Sequence, residues 1–190
     1  MIEERFFMID RIVNFCKKLE KYKIACLLSF FGFVLILFDQ VIKLCVENSM
    51  NLNDSVVVVP GMLRITYLQN RGAAFSIMSG QTLFLIIIAL IIISALVGFI
   101  IKKKIKDLIY LISITMIISG GVGNLIDRAF RGYVVDYLDT IFWPMEDFAV
   151  FNFADCLVVV GCLMFISKII FNEFICDKCQ KNKRENYGRC

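Results

Sequence analysis

Residues 82–101 read TLFLIIIALIIISALVGFII, 20 consecutive positions without a charge. As a helix rising about 1.5 Å per residue, the stretch covers about 30 Å, the thickness of a hydrocarbon core, so it is read as a transmembrane span. Three further segments, 24–46, 108–127 and 152–171, share its character but carry polar residues near one end. Lipid cannot satisfy free backbone groups, and none of the four alternates as a barrel strand would, so all are expected to be helices. Composition agrees: 59% of the 190 residues are hydrophobic, two are proline, and mean hydropathy is +0.76, far from a soluble domain.

The positive charges orient these spans. Arg5, Arg11, Lys17, Lys18, Lys21 and Lys23 precede the first, Lys102, Lys103, Lys104 and Lys106 separate the second from the third, and Lys178, Lys181, Lys183, Arg184 and Arg189 follow the fourth. Those regions, and with them both termini, are expected in the cytoplasm. The connections 47–81 and 128–151 hold only Arg64, Arg71, Arg128 and Arg131 and are expected to face outward. The net charge of +4 then needs no nucleic-acid partner to explain it.

This divides the chain into a basic, amphipathic extension over 1–23, a four-span domain over 24–171, and a basic, Cys-containing tail over 172–190. The start has a long charged region and no small-residue cleavage site, so it reads as retained. Phe6, Ile9, Val13, Cys16 and Leu19 recur at helical spacing, as in a helix lying on the inner leaflet; a disordered start is the competing reading. Between the first two spans, Val56 to Val59 and Met62 to Leu68 flank Pro60-Gly61, which predicts an external hairpin within a β region over about 50–70. The second outer connection, read as a loop over 128–151, carries Tyr133, Tyr137, Phe142, Trp143 and Phe148, rings suited to headgroup depth. The eight cysteines lie on the reducing side or within spans and read as free thiols. Cys176-Asp-Lys-Cys179 is half a zinc site at most, and no metal is expected.

Counted along the spans, several polar residues reach one depth. Asp39 and Asn124 lie about 22–24 Å from the inner boundary, and Asn152 and Asp155 occupy the first turn of the last span. Lys43, Asp127 and Arg128 follow one turn further out. A charge in hydrocarbon costs about 2.5–3.5 kcal/mol even on the lenient insertion scale, so such convergence implies that these groups face one another. Each has a plainer reading alone: Asp39 and Lys43 as an intrahelical ion pair, Asn152 and Asp155 as a capping box, Asp127 and Arg128 as a solvated helix end, and Gly120, Gly121 and Gly123 as a packing seam.

The chain contains no His, which excludes a Ser-His-Asp triad and an HExxH zinc site. Carboxylates remain as the acid/base pair. Two held close in a partly dry site share one proton, one serving as base toward water and the other as acid toward a carbonyl oxygen. From the residues alone the partner of Asp155 stays open among Asp127, Asp136, Asp139 and Asp147.

Asp39-Gln40-Val-Ile-Lys43, Asn70-Arg-Gly-Ala-Ala-Phe75, Gly120-Gly-Val-Gly-Asn124-Leu-Ile-Asp127-Arg128, Val134-Val-Asp136 and Phe151-Asn152-Phe-Ala-Asp155 together resemble the ordered motifs of lipoprotein signal peptidase, or signal peptidase II. The resemblance covers about 24–170. It implies a membrane all-α fold of four transmembrane helices with a small extracytoplasmic β-cradle. It implies Asp136 and Asp155 as the catalytic pair, with Asn124, Arg128 and Asn152 ordering the pair and the substrate backbone. Asp39, Lys43, Asn70 and Gly72 are implied to shape the site, and Asp127 to support it. Its substrate would be a prolipoprotein whose Cys carries a diacylglyceryl thioether, cleaved on the amino side of that Cys. It further implies a monomer in the bacterial inner membrane, in contact with membrane lipids, with no cofactor and the site on the outer side. Ile42 and Cys156 depart from the usual small residues of the motifs.

Three other readings compete. Asp39, Lys43 and Asp155 could form a transporter's proton relay, the polar residues could merely glue helices in a scaffold, or Lys43 could pair with Ser76 or Ser79 in a Ser-Lys protease.

Overall fold

The computed structural model describes residues 2–72, 81–103, 105–141 and 148–187, with side chains described between 22 and 174 of those. Along the chain run α1 (Ile2–Ser49), β1 (Ser55–Val59), β2 (Leu63–Asn70), α2 (Thr82–Lys103), α3 (Leu108–Phe130), β3 (Val134–Thr140) and α4 (Phe153–Tyr187). Four segments are long and apolar enough to cross a membrane: Tyr22–Ser49, Thr82–Lys103, Leu108–Phe130 and Phe153–Phe174. These are the four expected spans, with ends displaced by a few residues. The first 23 residues do not form a separate helix, since α1 continues through them, and α4 likewise continues past its span to Tyr187. Trp143 and Phe142 of the second outer connection lie outside the described residues, as do Ser76 and Ser79.

α3 is the hub of the helical part, packing most extensively on α4 and also on α1 and α2. The small-residue seam is what lets α3 and α4 approach. A Cβ on Gly120 would stand 2.3 Å from the Ala154 carbonyl oxygen, and one on Gly123 would stand 2.6 Å from Asp39 Oδ2. The glycines therefore serve two ends at once: they bring the α4 N-terminus against α3 and leave room for a carboxylate of α1 between them.

The hairpin forms as expected. Gly61 has φ +69, and the Met62 N–H reaches the Val59 carbonyl at 3.0 Å. With Pro60 before it, this is the pattern of a type II turn, whose third position needs positive φ. The connection between the third and fourth spans, expected as a loop, is not a plain loop. Residues 134–140, VVDYLDT, form β3, which pairs antiparallel with β2 to give a sheet in the order β1-β2-β3. Its β-branched and aromatic residues suit a strand, but between polar neighbours they resemble interfacial anchors. Tyr137 is in fact buried, packed with Val46, Tyr67 and Val135 where the C-terminal end of α1 meets the sheet. Because a strand alternates faces, anchoring Val135 and Tyr137 on this cluster turns the intervening Asp136 the opposite way.

Candidate active site

Asp155 stands in the first turn of α4, where four N–H groups lack helical partners. Asn152 caps that end: its Oδ1 accepts the Asp155 N–H at 3.0 Å, and Asp155 Oδ2 accepts the Asn152 N–H at 3.1 Å. This reciprocal pair is a capping box. The cap and the site turn out to be the same atoms. The Asn152 side-chain amide also donates to Asp136 Oδ1 at 2.6 Å and to Asn124 Oδ1 at 3.2 Å, while Asn124 Nδ2 donates to Asp155 Oδ1 at 2.7 Å. Asp136 and Asp155 thus come from a strand and a helix to hold the same residue, Asn152, one by its side chain and the other by its backbone.

The second oxygen of Asp136 accepts from Asn70 Nδ2 at 2.9 Å, and Asn70 Oδ1 in turn accepts the Gly72 N–H at 2.9 Å. Arg128 donates through Nη2 to the Gly72 carbonyl at 3.0 Å and lies in the field of Asp155, Asp136 and Asp127. Asp136 is 3% exposed. Its burial, followed by the negative charge of Asp155, pushes its pKa up to about 6, against the opposing pull of the Asn70 and Asn152 donors. The carboxyl is therefore poised to hold a proton in a range where an ordinary aspartate has lost it.

Beneath the pair lies a second, fully buried layer. The Lys43 ammonium meets Asp39 Oδ2 at 2.9 Å, Asp127 Oδ2 at 2.8 Å and Asn124 Oδ1 at 3.0 Å, so its three protons find three acceptors. Asp39 and Lys43 do form an i,i+4 pair, but one shared across helices. The other oxygen of Asp39 accepts the Ala154 N–H at 3.0 Å, satisfying a further free donor of the α4 N-terminus. Asp127, read above as a possible solvated helix end, is wholly buried. It also accepts from Gln40, Arg131 and, at 3.4 Å, the Val135 N–H beside Asp136. With its protons engaged, Lys43 is ill placed to serve as the free amine of a Ser-Lys protease.

The ten residues that the resemblance assigns to the site therefore fall in one assembly. Asp139 does not join it, being tied to Arg64 and Thr66 on the sheet, and Asp147 lies outside the described residues. The residue reading assigned no role to Gln40, Glu47 and Arg131. For Glu47 and Arg131 the signal was spacing: Lys43/Glu47 and Asp127/Arg131 are i,i+4 pairs on the faces that carry the site. Among the described residues, Cys26, Cys45, Cys156 and Cys162 are unpaired thiols, and no cluster of three or more metal-binding side chains occurs.

A model of the family described as signal peptidase (SPase) II matches residues 31–171. The chain is 44% identical over 132 residues to the lipoprotein signal peptidase of Streptococcus thermophilus, covering 70% of this chain and 84% of that protein. It is 42% identical over 144 residues to that of Halothermothrix orenii (76% and 95%) and 39% identical over 151 residues to that of Staphylococcus aureus (80% and 91%). A solved bacterial membrane enzyme superposes with a TM-score of 0.72 at 36% identity, covering 77% of this chain and 88% of the other. A second gives 0.69 at 37% identity, covering 75% and 91%. A four-helix membrane fold with a three-stranded sheet, a paired-aspartate assembly at one end of its helices, and a family match across most of the length lead to one conclusion: this chain belongs to the signal peptidase II family.

Proposed function

We propose that this protein is an aspartyl endopeptidase that removes signal peptides from diacylglyceryl-modified prolipoproteins, with Asp136 and Asp155 as its catalytic pair. The observation that carries the reading is the shared grip of both carboxylates on Asn152, together with a pKa of about 6 at Asp136. In the active form Asp136 carries the proton, and Asp155, the more exposed of the two, is the base. Asp155 takes a proton from water as the oxygen attacks the scissile carbonyl. Asp136 gives its proton to the carbonyl oxygen, and collapse of the tetrahedral intermediate returns a proton to the departing amine.

Orientation follows from the Lys and Arg distribution. The basic ends and the 102–106 connection face the cytoplasm, so the pair opens at the outer surface of the bacterial inner membrane. A signal helix spanning the bilayer would present its outer end at that level, with the lipid of the modified Cys in the adjacent leaflet and the cut on the amino side of that Cys. The protein acts as a monomer within this lipid surround. The test is cleavage of a diacylglyceryl-modified precursor against its unlipidated form by the purified protein. Cleavage confined to the lipidated precursor is expected, and equal cleavage of both, or of neither, overturns the assignment.

The proton assignment makes its own prediction. If the active form needs Asp136 protonated, kcat/KM holds below its pKa and falls as pH rises through about 6. Asn70→Ala removes a donor that favours the ionised form, so the falling limb should move to higher pH even as peak activity declines. A pH-rate profile checks this, and a shift toward lower pH would reverse the roles of the two aspartates.

A further inference from the structure

Two buried carboxylates, Asp39 and Asp127, face the single ammonium of Lys43, which leaves one excess negative charge in a layer shielded from solvent. The fourth charge comes from Arg131, one helical turn beyond Asp127. Its Nη1 reaches Asp127 Oδ1, the oxygen that Lys43 does not use, and also Gln40 Oε1 at 3.1 Å. Arg131 is fixed from the outer side. Its Nε lies 3.2 Å from Glu47 Oε2, and the other oxygen of Glu47 accepts the Tyr133 hydroxyl at 2.8 Å. A continuous line of contacts thus runs from Tyr133 through Glu47, Arg131, Asp127, Lys43 and Asn124 to Asp155.

We infer that Arg131 is a positioning residue for the catalytic pair, acting by holding the Asp127 carboxylate in the orientation from which its other oxygen anchors Lys43, so that Lys43 fixes which way the Asn124 amide faces. An amide can present either end to a neighbour. Here the Lys43 ammonium and the Asn152 amide both donate to Asn124 Oδ1, which forces Nδ2 toward Asp155 Oδ1. Without Arg131, Asp127 Oδ1 loses its charged partner beyond the span, and the carboxylate is free to turn away from the position in which Oδ2 meets Lys43. An Asp127 carboxylate that turns releases its hold on Lys43, and the preference that orients Asn124 weakens. Asp127 also contacts the Val135 N–H, so the strand that carries Asp136 loosens with it. The pair keeps every atom and loses its alignment, to which catalytic geometry is sensitive.

The inference rests on the peptidase reading above, and one set of purified variants separates the two. Arg131→Gln should lower kcat by about 10- to 100-fold while KM for the lipidated precursor changes by less than about 3-fold. Arg131→Lys, which keeps the charge, should recover most of that loss. Wild-type cleavage that is abolished by Asp136→Asn establishes the dyad whatever Arg131 does. Arg131→Gln with an unaltered kcat and only a lowered thermal midpoint overturns the positioning role, as does failure of Lys to restore kcat where Gln has lowered it.

Discussion

Asp136→Asn should abolish cleavage of a lipidated precursor, by roughly 10³-fold or more, and leave thermal stability close to that of the wild type. Loss of activity alone would not distinguish chemistry from collapse, so the stability half of the expectation matters as much. In the folded protein Asp136 is almost fully buried and its pKa stands near 6 rather than 3.8. A folded state that binds a proton more tightly than the unfolded chain loses stability as pH rises between those two values. At neutral pH the ionised carboxyl therefore opposes folding, by an amount on the order of 3 kcal/mol. An uncharged amide relieves that cost. Against this, Asn at 136 turns one nitrogen toward the Asn70 or Asn152 amide, both of which donate to it now, and a lost, mismatched hydrogen bond costs about 1–3 kcal/mol. The two nearly offset. A residue serving only as helix glue behaves otherwise, since its removal lowers stability and leaves no activity to lose. Measuring turnover and thermal midpoint on one preparation decides it, and normal turnover in the variant defeats the catalytic assignment.

Asp155→Asn should be equally inactive and less benign. Its Oδ2 closes the capping box and its Oδ1 receives the Asn124 amide, so an amide at 155 must face a donor with its own nitrogen on one side. Loss of a helix N-cap interaction costs about 1 kcal/mol. A lower midpoint than that of Asp136→Asn is the expected order.

The helices were legible because 20 uncharged residues admit one reading in a bilayer. The convergence of the polar residues was legible because charge within a span is costly enough to demand company. What the residues alone left open was the acid on the connection between the third and fourth spans. Asp127, Asp136, Asp139 and Asp147 were equivalent until β3 was known, because the alternation that turns Asp136 away from Val135 and Tyr137 exists only once the strand pairs with β2. The family motif, not the physics of the chain, chose Asp136. The readings of Asn152 and Asp155 as a cap and of the glycines as a seam were not rivals of the site, since the cap positions Asp155 and the seam admits Asp39. Arg131 escaped notice because an arginine just past a span reads as a boundary residue, whereas its reach back along the helix to Asp127 is a three-dimensional fact.

Lys43→Met should destabilise the fold more than any other single change at this layer. Methionine nearly matches the length of the lysine stem and leaves no large cavity, so the effect isolates the charge. Asp39 and Asp127 would then face each other with the ammonium gone and Arg131 reaching only Asp127. Stranding a buried charge by deleting its partner costs about 3–5 kcal/mol, a large part of the stability of most domains. The cost also spreads, because Asp39 holds the Ala154 N–H at the start of α4 and Asn124 loses the donor that orients it. Thermal unfolding in detergent should show a much lower midpoint, with cleavage absent. If stranded charge is the cause, removing one of the two acids as well must help: Lys43→Met with Asp39→Asn should be more stable than Lys43→Met alone, a non-additivity of about 1–3 kcal/mol in the double-mutant cycle. A double variant no better than the single one would mean that Lys43 acts through its packing, and the buried layer would then owe its cohesion to shape rather than charge.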